Sequence, residues 1–307
     1  MSGDSTVSGT GSLMSPSPVR RLCLIVNPVA GGHARPYLAK VIAALKGAGC
    51  ETTMMVTRAP GDAERICREA SSSRRYDAIA VAGGDGTVNE CANGLADASL
   101  PLAIIPMGTA NVLALEYGYP RAPSAIAAMI RVGKTVEIWP GRAGGRLFLA
   151  MASCGFDGRV MARVTAGGKR MLGKAAYALG AIGEWMGGHL PRLLCRCGGS
   201  EVRASWLMVM KTGRYAGRFV IAPGAVPGRP GFQVVAFTGS DRWSLARFVV
   251  ATGMGRIAKA RDVRFLEGDD IVIEGAGEEP FEMDGDLVGA LPVHIENAAF
   301  PLRLLVP

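Results

Sequence analysis

Residues 77–90 read DAIAVAGGDGTVNE, and this stretch decides the fold. Its apolar first half is typical of a strand buried on both faces of a parallel sheet. Three glycines follow directly, together with Asp85 and Glu90. Glycine permits a positive φ or a close approach of another group to the backbone. We therefore expect a buried strand, then a turn where Asp85 and Glu90 meet a ligand, and then a helix.

The same order of strand, loop and helix recurs on both sides of this stretch. Apolar runs at 22–26, 52–56 and 102–106 predict further strands, and helical spacing follows each of them. Alternating strands and helices predict a doubly wound parallel sheet. We assign residues 20–140 to this nucleotide-binding α/β domain. Residues 1–19, rich in Ser, Gly, Pro and Thr, are predicted to be a disordered tail.

The pattern changes after residue 140. Short strand-like runs dominate, interrupted by helical stretches near 169–186 and 242–260. This favours a mostly antiparallel β domain over residues 141–307, whose last strand is free to return to the first domain. A two-domain protein with one α/β and one β-rich domain is the predicted fold class.

Composition limits the function classes. The 307 residues carry a net charge of +8, which favours anionic partners, but no groove-reading or base-stacking module suggests nucleic acid. Seven scattered cysteines, mostly in apolar runs, indicate reduced thiols and a cytoplasmic location. The longest uncharged run, 98–115, contains prolines and a glycine and makes a poor membrane span.

Three loops precede predicted helices at the carboxyl edge of the sheet. They are NPVAGG (27–32), GGDGTVNE (83–90) and PMGTAN (106–111). Backbone N–H groups in such turns, together with helix N-termini, bind anions. A single turn of this kind is more often purely structural, but three at one edge predict a polyphosphate site.

A second acidic segment, FEMDGDLVG, spans 281–289. The glycine between Asp284 and Asp286 could direct both carboxylates at one point, as Mg²⁺ binding or deprotonation of an alcohol requires. An ordinary β-turn is the alternative that composition alone favours, because Asp-Gly is a strong turn dipeptide.

These motifs, in this order and spacing, resemble the diacylglycerol kinase catalytic family, which includes bacterial soluble lipid kinases, sphingosine kinases and ceramide kinases. The resemblance runs from Arg20 to the C-terminus. It implies ATP and Mg²⁺ as cofactors, a nucleotide cleft between two domains, and γ-phosphoryl transfer to a hydroxyl of diacylglycerol or of a sphingoid or ceramide-like lipid. GGDGT alone is less specific, since NAD kinases and 6-phosphofructokinases carry a similar turn.

The resemblance also implies roles for individual residues. Asp286 takes the place of the family's usual Glu as proton acceptor, with Asp284 as its neighbour and rival. Asp85 would organise Mg²⁺ and the phosphates, and Asp85 and Asp284 are the implied metal ligands. The implied nucleotide contacts are Asn27, Thr57, Gly83, Gly84, Asp85, Gly86, Thr87, Asn89, Gly108 and Thr109.

One feature of the family is missing. Soluble bacterial members commonly carry an Asp-Gly pair, tied to a structural Mg²⁺, in a loop that here reads VPGRPGFQ (226–233) and has no carboxylate. Trp139 stands where the family often has an Asp. The sequence therefore argues against the structural metal, while the Mg²⁺ that accompanies ATP is still expected.

The second domain carries a candidate membrane surface. Its two parts are a cationic band (Arg159, Arg163, Lys169, Arg170, Lys174) followed by apolar residues (Leu179, Ile182, Trp185, Met186). The helix around Trp243, Phe248 and Met254 has a similar character. Such a pattern predicts peripheral binding to an anionic membrane, with ordinary packed amphipathic helices as the alternative. Asp157 is a candidate contact for the lipid headgroup.

Two other functions stay open. One is a kinase for a soluble substrate, such as an NAD kinase, and the other is a lipid- or nucleotide-binding protein without activity. The oligomeric state is also open, with a homodimer as one alternative.

Overall fold

The structure is a computed structural model that describes residues 13–30, 35–95, 100–166, 173–187, 190–217 and 219–307. Its helices are α1 (Arg35–Gly47), α2 (Asp62–Ser72), α3 (Asp85–Gly94), α4 (Val112–Glu116), α5 (Pro123–Val132), α6 (Phe156–Ala166), α7 (Gly173–Gly187) and α8 (Arg242–Gly253), with a 3-10 turn at Ile257–Lys259. None of these helices combines the length and apolar composition needed to cross a membrane.

Ten strands of the described chain lie before residue 198. They are β1 (Leu13–Met14), β2 (Arg21–Val26), β3 (Glu51–Val56), β4 (Ala78–Gly83), β5 (Leu102–Pro106), β6 (Thr135–Ile138), β7 (Gly141–Ala143), β8 (Arg146–Phe148), β9 (Met151–Gly155) and β10 (Leu193–Cys197). Eleven follow: β11 (Ser200–Ala204), β12 (Trp206–Met210), β13 (Arg214–Tyr215), β14 (Phe219–Val220), β15 (Phe232–Phe237), β16 (Val263–Gly268), β17 (Asp270–Gly275), β18 (Pro280–Met283), β19 (Asp286–Ala290), β20 (Val293–Asn297) and β21 (Leu302–Leu305).

Strand β4 lies inside a seven-stranded sheet of order β1-β6-β21-β5-β4-β2-β3. All six residues of β4 are buried, as its uninterrupted apolar run predicts. Strands β3, β2, β4, β5 and β21 run parallel, and α1 packs with α5 while α2 packs with α3. The predicted α/β domain is confirmed. The sheet is mixed rather than wholly parallel, because β6 and β1 pair antiparallel at one edge.

The N-terminal segment differs from the predicted tail at residues 13–19. Strand β1 pairs with β6, the amide of Ser17 donates to the carbonyl of Gly133, and Val19 is buried. Gly133 has a φ of 74°, and a Cβ there would overlap the Ser17 carbonyl oxygen. A helix-ending glycine thus leaves the space that seats this segment, which composition alone does not reveal. Residues 1–12 lie outside the described residues.

The second domain is a sandwich of two antiparallel six-stranded sheets, which confirms the predicted mostly antiparallel β domain. One sheet has the order β11-β10-β17-β20-β7-β8 and the other β16-β15-β12-β9-β18-β19. In β9, Ala152 and Cys154 pack in the core between the two sheets. Met151 points to the other face of its sheet and packs in a second core with residues of α6 and α8. The predicted helices correspond to α7 and α8, and residues 167–172 lie outside the described part.

The chain passes between the domains twice. It leaves the first sheet after β6 and enters the sandwich at β7, and it returns from β20 to β21. Strand β21 lies between β5 and β6, with Leu302, Leu304 and Leu305 buried. The two crossings place the carboxyl ends of the first sheet beside the β9 and β18–β19 edge of the sandwich.

Candidate active site

Two of the predicted phosphate loops touch each other through glycines. A Cβ added to Gly84 would lie 3.3 Å from the Cα of Gly108, and one added to Gly108 would lie 2.5 Å from the Cα of Gly84. A Cβ on Gly83 would meet the side chain of Thr87 at 2.8 Å. The turns after β4 and β5 therefore need glycine in order to lie against each other.

Asp85 joins the same two turns. Its carboxylate accepts hydrogen bonds from the backbone N–H groups of Asn111 (2.8 Å) and Val112 (2.7 Å), at the start of α4. Burial raises the pKa of Asp85, and these backbone bonds oppose the rise. Asn111 has a φ of 49°, and its side chain bonds both the N–H and the carbonyl of Gly108. Asp85 thus fixes the PMGTAN loop to the beginning of α3.

The first predicted loop is tied to this pair by Asn27. Its side-chain amide donates to the hydroxyl of Thr87 at 2.9 Å. Thr57 lies at the end of the neighbouring strand, buried, with its hydroxyl donating to the carbonyl of Val26 at 3.4 Å. Thr109 is exposed in its loop. Residues 31–34, including the two glycines of NPVAGG, lie outside the described residues.

Asp284 and Gly285 form the two-residue turn between β18 and β19. Both have a positive φ, 50° and 87°, as a type I′ hairpin turn requires. The turn interpretation is therefore correct, and the turn also lies at the cleft. A Cβ added to Gly86 in the first turn of α3 would be 3.5 Å from Oδ2 of Asp286. This places Asp286 opposite the GGDGT motif.

Asp284 binds backbone groups of the β8–β9 segment. Its carboxylate accepts four hydrogen bonds: from the N–H groups of Leu149 (2.7 Å), Ala150 (2.8 Å) and Met151 (3.0 Å), and from the side chain of Asn89 (2.7 Å). Burial raises its pKa, against the effect of these bonds. A carboxylate has about four acceptor positions, so Asp284 is saturated. It therefore holds the β8–β9 segment, a role that the sequence did not predict, while its role as a base or metal ligand stays a prediction.

Asn89 also serves the domain junction, where the family resemblance implied a nucleotide contact. Its side-chain amide donates to Asp284 and to the carbonyl of Leu147 at 2.9 Å. Asn93, one turn further along α3, bonds Leu147 at both N–H (2.9 Å) and carbonyl (3.2 Å). Helix α3 thereby holds the second domain in place. Asn89 and Asn93 are one helical turn apart and therefore lie on the same face of α3. This spacing was the sequence signal that could have identified Asn93.

Glu90 lies away from the candidate ligand position. Its carboxylate accepts a hydrogen bond from the N–H of Ala63 at 3.1 Å, in the first turn of α2. Glu90 lies one turn beyond Asp85 along α3, so its side chain reaches α2, and its contact with a ligand stays a prediction.

Sequence reasoning missed a buried acidic group beside the turn. Side chains alternate between the two faces of β18, and that of Glu282 (2% exposed) lies on the outer face of the sheet. Asp157 (3% exposed) lies in the first turn of α6. Tyr215 donates its hydroxyl to Asp157 at 3.1 Å, and Glu282 accepts from the N–H of Gly285 at 2.8 Å. Burial raises the pKa of Asp157 to about 7 and that of Glu282 well above its usual range. Asp157 is thus enclosed, whereas the sequence predicted a lipid contact.

Metal binding by protein groups alone is not supported. The described ranges contain no group of three His, Cys, Asp or Glu side chains able to hold an ion. Asp85 is the chain neighbour of Gly86, and Asp286 is the carboxylate that approaches Gly86 from the second domain. An ion at this position would need most of its ligands from elsewhere, as Mg²⁺ normally does when it arrives with phosphates.

Comparisons with known proteins agree with this geometry. Residues 21–143 match the diacylglycerol kinase catalytic domain, and residues 150–306 match the YegS C-terminal NAD kinase beta sandwich-like domain. A probable lipid kinase YegS-like protein of Pseudomonas aeruginosa is 40% identical over 45% of this chain and 46% of its own length. A diacylglycerol kinase of Bacillus subtilis is 36% identical over 52% and 54%. The chain therefore matches about half of the length of these relatives.

The similarity of fold extends over almost the whole chain. A crystal structure of a putative diacylglycerol kinase from Bacillus anthracis superimposes with a TM-score of 0.79 at 26% identity. The superposition covers 95% of this chain and 96% of that protein. Both domains and their arrangement in sequence are therefore shared.

Proposed function

This chain belongs to the diacylglycerol kinase catalytic domain family, and from that membership we propose that it is an ATP-dependent lipid kinase. The proposed reaction transfers the γ-phosphoryl group to a hydroxyl of diacylglycerol or of a sphingoid or ceramide-like lipid. The observation that carries the proposal is the position of Asp286, with a carboxylate oxygen next to Gly86 at the start of α3.

The triphosphate would lie over the glycine turns. The N-terminus of α3 and the backbone N–H groups around Gly84 and Gly108 supply partial positive charge there. Mg²⁺, when bound with ATP, would neutralise phosphate charge, and Asp85 and Asp286 are the residues that would hold it. Asp85 has a second task, since it keeps the two glycine turns together.

Asp286 would accept the proton of the lipid hydroxyl as that oxygen attacks the γ-phosphorus in line. Asp284 keeps the turn between β18 and β19 rigid through its four hydrogen bonds. Positioning and charge stabilisation account for most of the rate in phosphoryl transfer, so a rigid turn is a requirement of this mechanism.

The test is transfer of label from γ-labelled ATP to lipid in mixed micelles that present diacylglycerol, ceramide or sphingosine, with NAD and no-lipid controls. We expect label in one lipid and a fall in kcat of about 10²–10⁴-fold in Asp286→Asn. Asp286→Glu, which restores the family's usual residue, should keep activity. The matched control is Asp270→Asn, an exposed carboxylate paired with His294 at 2.9 Å. Label only in NAD, or ATP binding without turnover, would favour one of the two rivals.

We also propose that the lipid is reached at an anionic membrane through a surface formed by α7 and α8. Trp185 and Trp243 join the helices edge to face, with ring centroids 6.1 Å apart. The large exposed apolar side chains on α7, on α8 and at the end of α8 are Leu179, Ile182, Met186, Val249, Val250 and Met254. Exposed apolar groups on two helices that contact each other favour an interface.

The cations of this surface lie mainly on α8 and just beyond it. Arg256 and Lys259 are exposed, and the Arg242 guanidinium lies 5.5 Å from the Trp243 ring centre. The predicted band around α6 is weaker than its sequence indicates, because Arg159 pairs with Glu279 and Arg163 with Glu184. Lys169 and Arg170 lie outside the described residues.

Cosedimentation with phosphatidylglycerol–phosphatidylcholine vesicles tests this surface. Val250→Glu with Met254→Glu should weaken vesicle binding roughly tenfold or more, since two apolar side chains lose their burial. Val132→Glu is the matched control, because Val132 is comparably exposed at the end of α5. Equal binding by all three proteins would contradict the membrane proposal.

We propose the edge strand β3 as the contact surface of a homodimer. Met54, Met55 and Val56 are all exposed on that strand, and an unpaired apolar edge favours strand pairing with another chain. Light scattering of the wild type and of Met55→Lys would test it, with a smaller mass expected for the variant.

A further inference from the structure

Lys211 is a buried cation that the proposed reaction does not use. It follows β12 directly, and only 1% of its surface is exposed. Its ammonium group donates hydrogen bonds to the backbone carbonyls of Arg229 (2.9 Å) and Gly231 (2.8 Å) and lies 5.0 Å from the ring centre of Phe232. A buried charge is costly unless it is well paired, so its retention in a core requires a reason.

The carbonyls that it binds belong to the loop in which the family resemblance implied a structural Mg²⁺. Backbone carbonyl oxygens are ligands that Mg²⁺ and Ca²⁺ use in proteins. Here both carbonyls accept hydrogen bonds from Lys211, and residues 226–233 contain no carboxylate. A divalent ion does not fit at these carbonyls, because it would compete for the same oxygens against a like charge at hydrogen-bond distance.

The ammonium is charged near neutral pH. Burial lowers the pKa of Lys211 to about 8, and the carboxylate of Asp269 opposes that fall. Asp269 is close to the loop, since a Cβ added to Gly231 would lie 2.9 Å from its Oδ1. The Arg229 guanidinium adds a second positive charge that also lowers this pKa, so the position combines two cations, two carbonyls and one nearby acid.

The loop held by Lys211 reaches both crossings between the domains. The carbonyl of Pro227 accepts the N–H of Trp139 at 2.7 Å, just after β6. The N–H of Gly231 donates to the side chain of Asn297 at 2.8 Å, at the end of β20. The backbone N–H of Lys211 itself donates to Ala150, whose own N–H is held by Asp284.

We propose that the ammonium group of Lys211 is a built-in cation that replaces a structural divalent metal ion at the junction of the two domains. The junction of this protein then needs no bound metal to be stable. This inference is independent of the proposed reaction, because it concerns the chain without nucleotide or lipid.

Thermal unfolding of the full chain without nucleotide or lipid tests the proposal. After dialysis against EDTA, the wild-type Tm should stay within about 1 °C when Mg²⁺ or Ca²⁺ is added, because no site links metal to folding. Lys211→Met keeps the apolar stem and removes the charge, leaving two carbonyls unbonded. It should lower the Tm by about 5–10 °C.

The matched control is Lys134→Met. Lys134 also donates its ammonium to a backbone carbonyl, that of Pro307 at 2.8 Å, but at the surface, so its loss should change the Tm by about 1 °C or less. A wild-type Tm that falls in EDTA and recovers with metal would overturn the proposal, as would a stoichiometric divalent ion in dialysed protein by mass spectrometry. If Lys211→Met does not fold, these two wild-type measurements still decide the question.

Discussion

Two Asp-Gly segments face each other across the cleft. In each of them one carboxylate binds backbone N–H groups, and a neighbouring residue faces the opposite segment. In Asp85-Gly86 the carboxylate is used by the backbone N–H groups of the next loop, while the glycine faces the opposite domain. In Asp284-Gly285-Asp286 the first carboxylate is used by three backbone N–H groups, and Asp286 faces Gly86. An acid within a motif can therefore hold the backbone of that motif, while a neighbouring residue is the one that faces the opposite domain.

The largest expected effect is on stability at Asp284. Asp284→Ala leaves three buried backbone N–H groups and the amide of Asn89 without their acceptor, so we expect a loss of about 3–5 kcal/mol in the free energy of unfolding. Asp286→Ala, two residues away, should cost less stability than Asp284→Ala while abolishing transfer. Urea unfolding of both variants measures the difference. Equal losses would mean that the two aspartates do not divide the work as described.

A smaller effect is expected at Asp85. Asp85→Ala removes the acceptor of the Asn111 and Val112 N–H groups, which should cost about 1–3 kcal/mol and raise KM for ATP as the two glycine turns separate. Asp62→Ala is the matched control, because Asp62 also accepts two backbone N–H groups, of Arg58 and Ala59, but at the surface. A KM for ATP that changes equally in both variants would contradict a special role for Asp85.

An effect of similar size depends on pH and concerns the buried acids Asp157 and Glu282 behind the turn. Because the folded-state pKa of Asp157 is raised from 3.8 to about 7, the folded chain binds the proton more tightly than the unfolded chain. The stabilisation is complete below about pH 4 and is lost as the pH rises towards 7. Asp157→Asn stays neutral and can still accept from Tyr215.

Urea unfolding at pH 5 and pH 8 measures the contribution of the Asp157 carboxyl group to stability. The stability of Asp157→Asn relative to the wild type should rise by about 1–3 kcal/mol between the two values, at about 1.4 kcal/mol per pKa unit. Glu282 is the other acid that interacts with Asp157, so Glu282→Gln is the companion variant. A relative stability that is the same at both pH values would show that Asp157 is already ionised in the fold.

The sequence predicted the elements that local pattern controls. The apolar runs and glycine turns around β4 gave the parallel sheet, and the Asp-Gly dipeptide at 284–285 gave the hairpin turn. The sequence could not predict which groups each acidic side chain binds. The backbone partners of Asp284 lie more than 130 residues away and have no sequence signature. Lys211 gave no signal either, since a lysine at the end of an apolar strand is normally solvated.

The return of β21 to the first sheet has a consequence for synthesis on the ribosome. Strand β21 fills the position between β5 and β6 with the buried side chains of Leu302, Leu304 and Leu305. The nascent N-terminal domain therefore emerges with one strand missing from its sheet, and unpaired backbone and apolar surface stay exposed until residues 302–305 have been made. The domain that carries the glycine turns cannot mature before the rest of the protein, so translation delivers both halves of the cleft as one folding event.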